Sequence, residues 1–165
     1  MVSSAAGMQV TVGAASDVDI QFTVTNANQP VAWVTSGVPL GLSFVGGTVG
    51  ALTGVPLVMG DFVVTVQATD AIGLTDSIDV ALNVGPPDVG LQAMAEPFLG
   101  VGTVNTALET FLDLQGDGDG TYDLGDFRVW VLGNPSHPVN APAAALVAGA
   151  PRKSIMVPLF ERDHP

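Results

Sequence analysis

The densest chemistry in this 165-residue sequence is the stretch QGDGDGTYDLGD, Gln115 to Asp126, with four aspartates and four glycines in twelve positions. Oxygen-bearing side chains at every second position suit a hard cation such as Ca2+. Alternate residues of a curled loop point inward, and a glycine at the sixth position permits the sharp turn. With Gln115 at position 1, Asp117 falls at 3, Asp119 at 5 and Gly120 at 6. Thr121 is then at 7, offering its carbonyl, with Asp123 at 9 and Asp126 at 12. Tyr122 takes position 8, where a side chain packs inward. Position 1 carries an amide instead of a carboxylate, so the first ligand is either the Gln115 amide oxygen or Asp113, brought in by a bulge. The competing reading is a solvated acidic turn, which would have no use for this regular placement of Asp and Gly.

Little else in the chain carries reactive groups. Cysteine is absent, which removes disulfides, thiolate metal sites and cysteine nucleophiles together. The two histidines, His137 and His164, each stand beside a proline, and no HExxH is present. Ser136 beside His137 is adjacency in sequence without the GxSxG of a nucleophile elbow. Glutamate occurs only at 96, 109 and 161. GGTVG at 46–50 reads as a hairpin turn, because no helix follows it as a phosphate loop requires. Asp70 and Asp76 read as strand-turn residues in preference to ligands. The expectation is a chain without catalytic activity.

Charge restricts partners. Residues 1–127 hold 14 acidic and no basic side chains, and all four basic ones (Arg128, Arg152, Lys153, Arg162) come after. Such a body repels phosphates and argues against nucleic acid. It also attracts the basic tail of a neighbour, although solubility is an equally good reason for the acidity. Hydrophobic content of 47% argues against a disordered body. No apolar run is long enough to span a membrane, and MVSSAAGMQV has no charged start or apolar run of a signal peptide.

The elements that position these residues begin with strands. In VDIQFTVT, Ile20, Phe22 and Val24 alternate with polar residues. In DFVVTVQAT, Phe62, Val64, Val66 and Ala68 share a face, as do Ile78, Val80, Leu82 and Val84 in SIDVALNV. Shorter candidates are MQVTV, VAWVTS, LSFV and GALTG, separated by Gly, Pro, Asn and Asp. About seven short strands over residues 8–85 predict an antiparallel sandwich of two sheets, with Trp33 and Phe44 in its core. Residues 8–85 also resemble the immunoglobulin-like, cadherin-related repeat of bacterial surface proteins. Pro39, Gly41, Leu42 and Phe44 match its first segment, Gly54 and Pro56 its Gly-x-Pro, and Gly60, Phe62, Val64, Val66, Ala68, Asp70 and Gly73 its last. The resemblance implies a sandwich and, for function, only a surface spacer or adhesion module.

GPPDVG at 85–90 stops the last of these strands and acts as a hinge. Thr106 and Glu109 have capping-box spacing, followed by Val104, Leu108, Phe111 and Leu112 on one helical face. Leu124, Phe127, Trp130 and Val131 repeat that spacing, with Gly133 as the stop. The aspartate loop therefore lies between two short helices. Residues 104–133 resemble the calcium loop of dockerin modules, and more closely the dockerin-related segment that ends some secreted bacterial hydrolases, subtilisin-like proteases especially. The resemblance implies Ca2+ held by Gln115, Asp117, Asp119, Thr121, Asp123 and Asp126, with Asp113 as an added candidate. It departs from a dockerin in two ways: Gln at position 1 leaves the first ligand between Gln115 and Asp113, and the single loop argues against dockerin-type docking.

From Asn134 the chain is rich in Pro and Ala, then ends in SIMVPLF. Ile155, Val157 and Leu159 oppose Met156 and Phe160, so both faces of this strand are expected to be buried, with Pro158 confining it to a sheet edge. Arg152 and Lys153 flank it. The 18-residue linker from Asn134 to Pro151 spans about 55 Å at polyproline spacing, so the strand either folds back on its own sandwich or reaches a neighbour. The expected organisation is a sandwich at 1–86, a helix–loop–helix at 87–134 and a linker with its strand at 135–165. The expected function is a non-enzymatic, extracellular or cell-surface, calcium-binding structural module. It associates with copies of itself, as in a filament or surface layer, or with another surface protein, through Ile155, Val157, Leu159, Arg152 and Lys153, and no small-molecule substrate is evident. The alternative is an accessory or docking region of a secreted hydrolase.

Overall fold

A computed structural model describes residues 7–139 and 153–159 of the chain. The seven expected strands all form: β1 (Met8–Gly13), β2 (Val18–Val24), β3 (Ala32–Ser36), β4 (Leu42–Val45), β5 (Val49–Gly54), β6 (Gly60–Thr69) and β7 (Thr75–Gly85). Three short helices follow, α1 (Leu91–Leu99), α2 (Thr106–Gln115) and α3 (Leu124–Gly133), and then a terminal strand, β8 (Lys153–Leu159). One sheet has the order β1-β7-β6-β3 and the other β4-β5-β2-β8. The fold is mainly β, an immunoglobulin-like sandwich with a small helical part.

Alternation along each strand decides which side chains meet between the sheets. Ile20 and Phe22 of β2, Leu52 of β5, Val64 and Val66 of β6 and Val80 of β7 are completely buried. The intervening residues face solvent or the sheet rims, as a period of two requires. Trp33 and Phe44 differ from expectation, being only half-buried. They lie near the sandwich rim, with Phe44 5.7 Å from Trp33 and 5.8 Å from Phe22, and Trp33 Nε1 donates to the Gly47 carbonyl at 2.8 Å. The indole needs that polar partner, which keeps it at the margin. Gly50 makes room for the pair, since a Cβ there would stand 2.6 Å from Phe44 and 3.1 Å from Trp33.

The turn residues have particular tasks. Gly41 and Gly54 have φ of 90° and 124°, and the backbone of the facing segment fills the space a Cβ would need at each. Only glycine fits both demands. Asp70 closes the β6–β7 turn, accepting hydrogen bonds from Ile72 N and Leu74 N, and also from Asn28 N and Nδ2 across the loop after β2. Burial opposes its ionisation, but these four donors prevail and hold its carboxyl below the ordinary value. Its acceptor capacity is spent on holding two loops together.

Strand β8 runs parallel to β2, in register from Val18 opposite Lys153 to Val24 opposite Leu159. It folds back on its own sandwich. Thr25 N donates to the Leu159 carbonyl at 2.9 Å, and the hydroxyls of Thr23 and Thr25 reach the carbonyls of Val157 and Leu159. Val157 and Leu159 join the core at 4% and 3% exposure, whereas Met156 is 69% exposed. The expected burial of both faces is thus corrected: an edge strand of a sandwich has one inner face, and Met156 is on the other. Pro158 does sit on the edge, opposite Thr23. Lys153 and Ile155 take register positions opposite Val18 and Ile20, while Arg152 lies outside the described residues.

The helical part holds one helix more than expected. α1 has Pro97 inside it, begins at Gly90 without a side-chain cap, and ends at Gly100 in the left-handed conformation. α2 is capped by Asn105, whose Oδ1 accepts from Leu108 N at 2.8 Å, so Thr106 is the first helical residue and the expected Thr106–Glu109 box does not form. Leu108, Phe111 and Leu112 are buried with Trp130 of α3, and Phe111 stands edge-on to Trp130 at 5.3 Å. Leu124, expected on that inner face, is largely exposed at the start of α3, and Gly133 is its last helical residue, with Asn134 as the cap. Beyond α3, Pro138 and Val139 carbonyls accept from Leu91 N and Gln92 N, satisfying the uncapped start of α1. His137, expected in a loop, is buried there, 2.6 Å from the Val89 carbonyl through Nε2 and edge-on to Trp130.

Candidate metal centre

The acidic loop joins the end of α2 to the start of α3, and each aspartate in it has a definite place. Asp113 sits in the last turn of α2 and is 6% exposed. Its carboxylate, with those of the exposed Asp117 and Asp119, forms a group whose ligand oxygens all lie within 4.8 Å of one another. The backbone wraps around this group. Gly120 N donates to Asp113, Asp119 N to Asp117 and Thr121 N to Asp119. Left-handed glycines at 118 and 120 give the curl.

Asp123 and Asp126, expected at positions 9 and 12, do different work at the loop's exit. Asp123 caps α3, accepting from Gly125 N at 2.6 Å and more weakly from Asp126 N. Asp126, 2% exposed, returns a bond to Asp123 N at 2.8 Å and takes another from Asp117 N at 3.2 Å. That reciprocal pair is a capping box. Gly116 lies so close to Asp126 that a Cβ would collide with its carboxylate. Asp126 thus braces both ends of the loop. Gln115 is half-buried as the last residue of α2, and Thr121 is exposed.

Tyr122 packs inward as its position predicts. Its hydroxyl donates to the Met94 carbonyl of α1 at 2.9 Å, and its ring lies 5.1 Å from Phe98. Burial, then the charges of Asp126 and Glu109, push its pKa far up, so it stays a neutral donor. Through this contact the loop is tied to α1, an attachment that sequence spacing did not reveal because α1 was not apparent.

Three carboxylates in one small volume, with no basic residue anywhere before Arg128, are a hard-oxygen donor set that suits Ca2+. A carboxylate oxygen that accepts one backbone N–H keeps a further lone pair for a cation. Elsewhere, a shallow groove on the outer face of the first sheet presents Gln9, Thr11, Asp61 and Asn83, and Asp61 already accepts from Asn83 at 2.7 Å. Among the described residues no helix is long and apolar enough to cross a membrane.

Among solved structures, a Bacteroides fragilis protein described as a "putative alpha-galactosidase/melibiase" is 27% identical over 50% of this chain and 17% of its own, with a TM-score of 0.37. The PKD domain of the KIAA 1837 protein is 16% identical, over 52% of this chain and 85% of its own, with a TM-score of 0.32. This chain therefore spans less than a fifth of the galactosidase. A search of the curated proteins finds no match. The profile of the family described as "Putative Ig domain" matches residues 1–85, just over half of the chain. It covers β1 to β7 together with Gly41, Gly54 and Asp70, and on that match the chain belongs to this immunoglobulin-like family.

Proposed function

We propose that this chain is a non-enzymatic structural module of the cell surface or extracellular space, stapled by Ca2+ at the α2–α3 loop and associating with copies of itself. The observation that carries the calcium reading is the convergence of Asp113, Asp117 and Asp119. These three carboxylates hold the ion, with the Gln115 amide and the Thr121 carbonyl as neutral oxygens within the same loop. Asp123 and Asp126 fix the loop's exit. The ion supplies the positive charge that lets these carboxylates stay together, and a disulfide-free module placed outside the cell gains a cross-link between two helices.

The immunoglobulin-like family supports a structural role, and the acidic body with a basic tail supports association. Differential scanning calorimetry tests the calcium reading. At 100 times Kd, Ca2+ adds about 2.7 kcal/mol of stability relative to EDTA. Asp113→Asn and Asp119→Asn each remove most of that gain, whereas Asp76→Asn, on β7, leaves it intact. Equal melting temperatures in calcium and EDTA would end the calcium reading.

A further inference from the structure

We propose that the edge of β2 away from β5 is a strand-acceptor site that takes β8 from a second copy of this chain. The proposal rests on the self-associating reading above and names its site and partner. In the single chain the site is filled in cis: β8 pairs with Val18–Val24, buries Val157 and Leu159, and has its carbonyls gripped by Thr23 and Thr25. Backbone pairing, the two inward side chains and the threonine bonds would be the same if β8 came from a neighbour. Exchange of an identical element therefore loses no contact and costs only the entropy of association.

Chain length permits the exchange. Thirteen residues, 140–152, separate Val139 from Lys153, and at about 3.1 Å each they extend to roughly 40 Å, enough to reach an adjacent molecule. Charge favours a second copy over an unrelated strand. β8 opens with Lys153, in register with Val18, and meets a body whose first 127 residues hold no basic side chain. A reciprocal exchange closes as a dimer, and a one-way succession continues as a filament. Tethering through these thirteen residues gives the cis strand an effective concentration in about the millimolar range, so exchange emerges at high protein concentration or on a crowded surface.

The test uses the full chain in two single-cysteine forms with different tags. Gln21 and Met156 are register partners, Met156 is exposed, and neither touches the calcium loop. Gln21→Cys and Met156→Cys chains are mixed at about 0.5 mM, oxidised and resolved by mass, a concentration chosen near the tether's effective one. The expected result is a disulfide-linked heterodimer well in excess of either homodimer, while the doubly substituted chain at micromolar concentration closes within itself as a monomer. Asp19→Cys with Ser154→Cys, the adjacent register pair, repeats the test if the first pair folds poorly. The proposal is overturned if the double variants close internally and the mixtures give no heterodimer excess. If the mixtures fail while light scattering finds the native chain assembling, self-association stands and uses another surface; if the native chain also stays monomeric, the self-associating reading falls with the proposal.

Discussion

Val157→Asp places a carboxylate between the two sheets at a position now 4% exposed. Kept in place, the strand would bury an unpaired charge, at a cost well beyond the about 1.5–3 kcal/mol that the valine contributes. The chain has a cheaper escape, because β8 is an edge strand on a long tether and can leave. The loss is then capped by what docking β8 is worth. Val157 and Leu159 together contribute about 3–6 kcal/mol of burial, and the two threonine hydroxyl bonds about 1–3 kcal/mol. Ladder hydrogen bonds largely offset the cost of ordering seven residues, about 1–2 kcal/mol each. These favourable contributions total about 4–9 kcal/mol. The ordering cost that the ladder leaves uncovered brings the net cap down to about 2–4 kcal/mol, which for a chain of this size lowers the melting temperature by roughly 5–15 °C. Urea unfolding followed by circular dichroism measures it, and the m-value should fall slightly because the variant's native state already exposes the strand. Val80→Asp on the interior strand β7 has no such escape and should unfold the sandwich. The reasoning is refuted if Val157→Asp is as damaging as Val80→Asp, or if it leaves stability unchanged.

Asp70, whose folded pKa is depressed, stabilises the fold fully above its unfolded value of about 3.9, and that contribution is lost as pH falls through the lower folded value. Asp70→Asn should therefore melt below the parent at pH 7, with the gap narrowing toward pH 3; a constant gap across that range would contradict the assignment. Asn105→Ala removes the α2 cap and should cost about 1 kcal/mol, read as a lower melting temperature. Asn105→Ser should restore most of it.

The strands were legible because one inward face per strand writes a period of two directly into residues such as Ile78, Val80, Leu82 and Val84. The rim position of Trp33 was not, since periodicity shows which face a side chain is on and not how near the end of the sheet it lies. α1 left no signal: Gly90 offers no capping side chain, Pro97 interrupts the pattern, and its first N–H groups are satisfied by Pro138 and Val139 more than forty residues away. In the acidic loop, counting from Gln115 follows the loop but ignores that α2 continues to Gln115. Asp113, two residues from its end, thereby faces Asp117 and Asp119. The capping duty of Asp123 and Asp126 was masked because an N-cap box and a metal loop both call for carboxylates three residues apart. For the tail, its edge position followed from Pro158, but a parallel partner 135 residues earlier has no local trace.

That distance has a consequence for synthesis. β2 leaves the ribosome long before β8, and 135 residues at about 5–20 per second take on the order of ten seconds. During that interval, Ile20 and Phe22 belong to a strand with one side unpaired, next to a gap that Val157 and Leu159 have yet to fill. Chains growing side by side on one message would hold such open edges close together while finished tails emerge from those ahead. Under the strand exchange proposed above, the order of translation would bias the choice between closure within a chain and pairing between chains. Slowing elongation through residues 140–152 should lengthen the exposure and shift that choice.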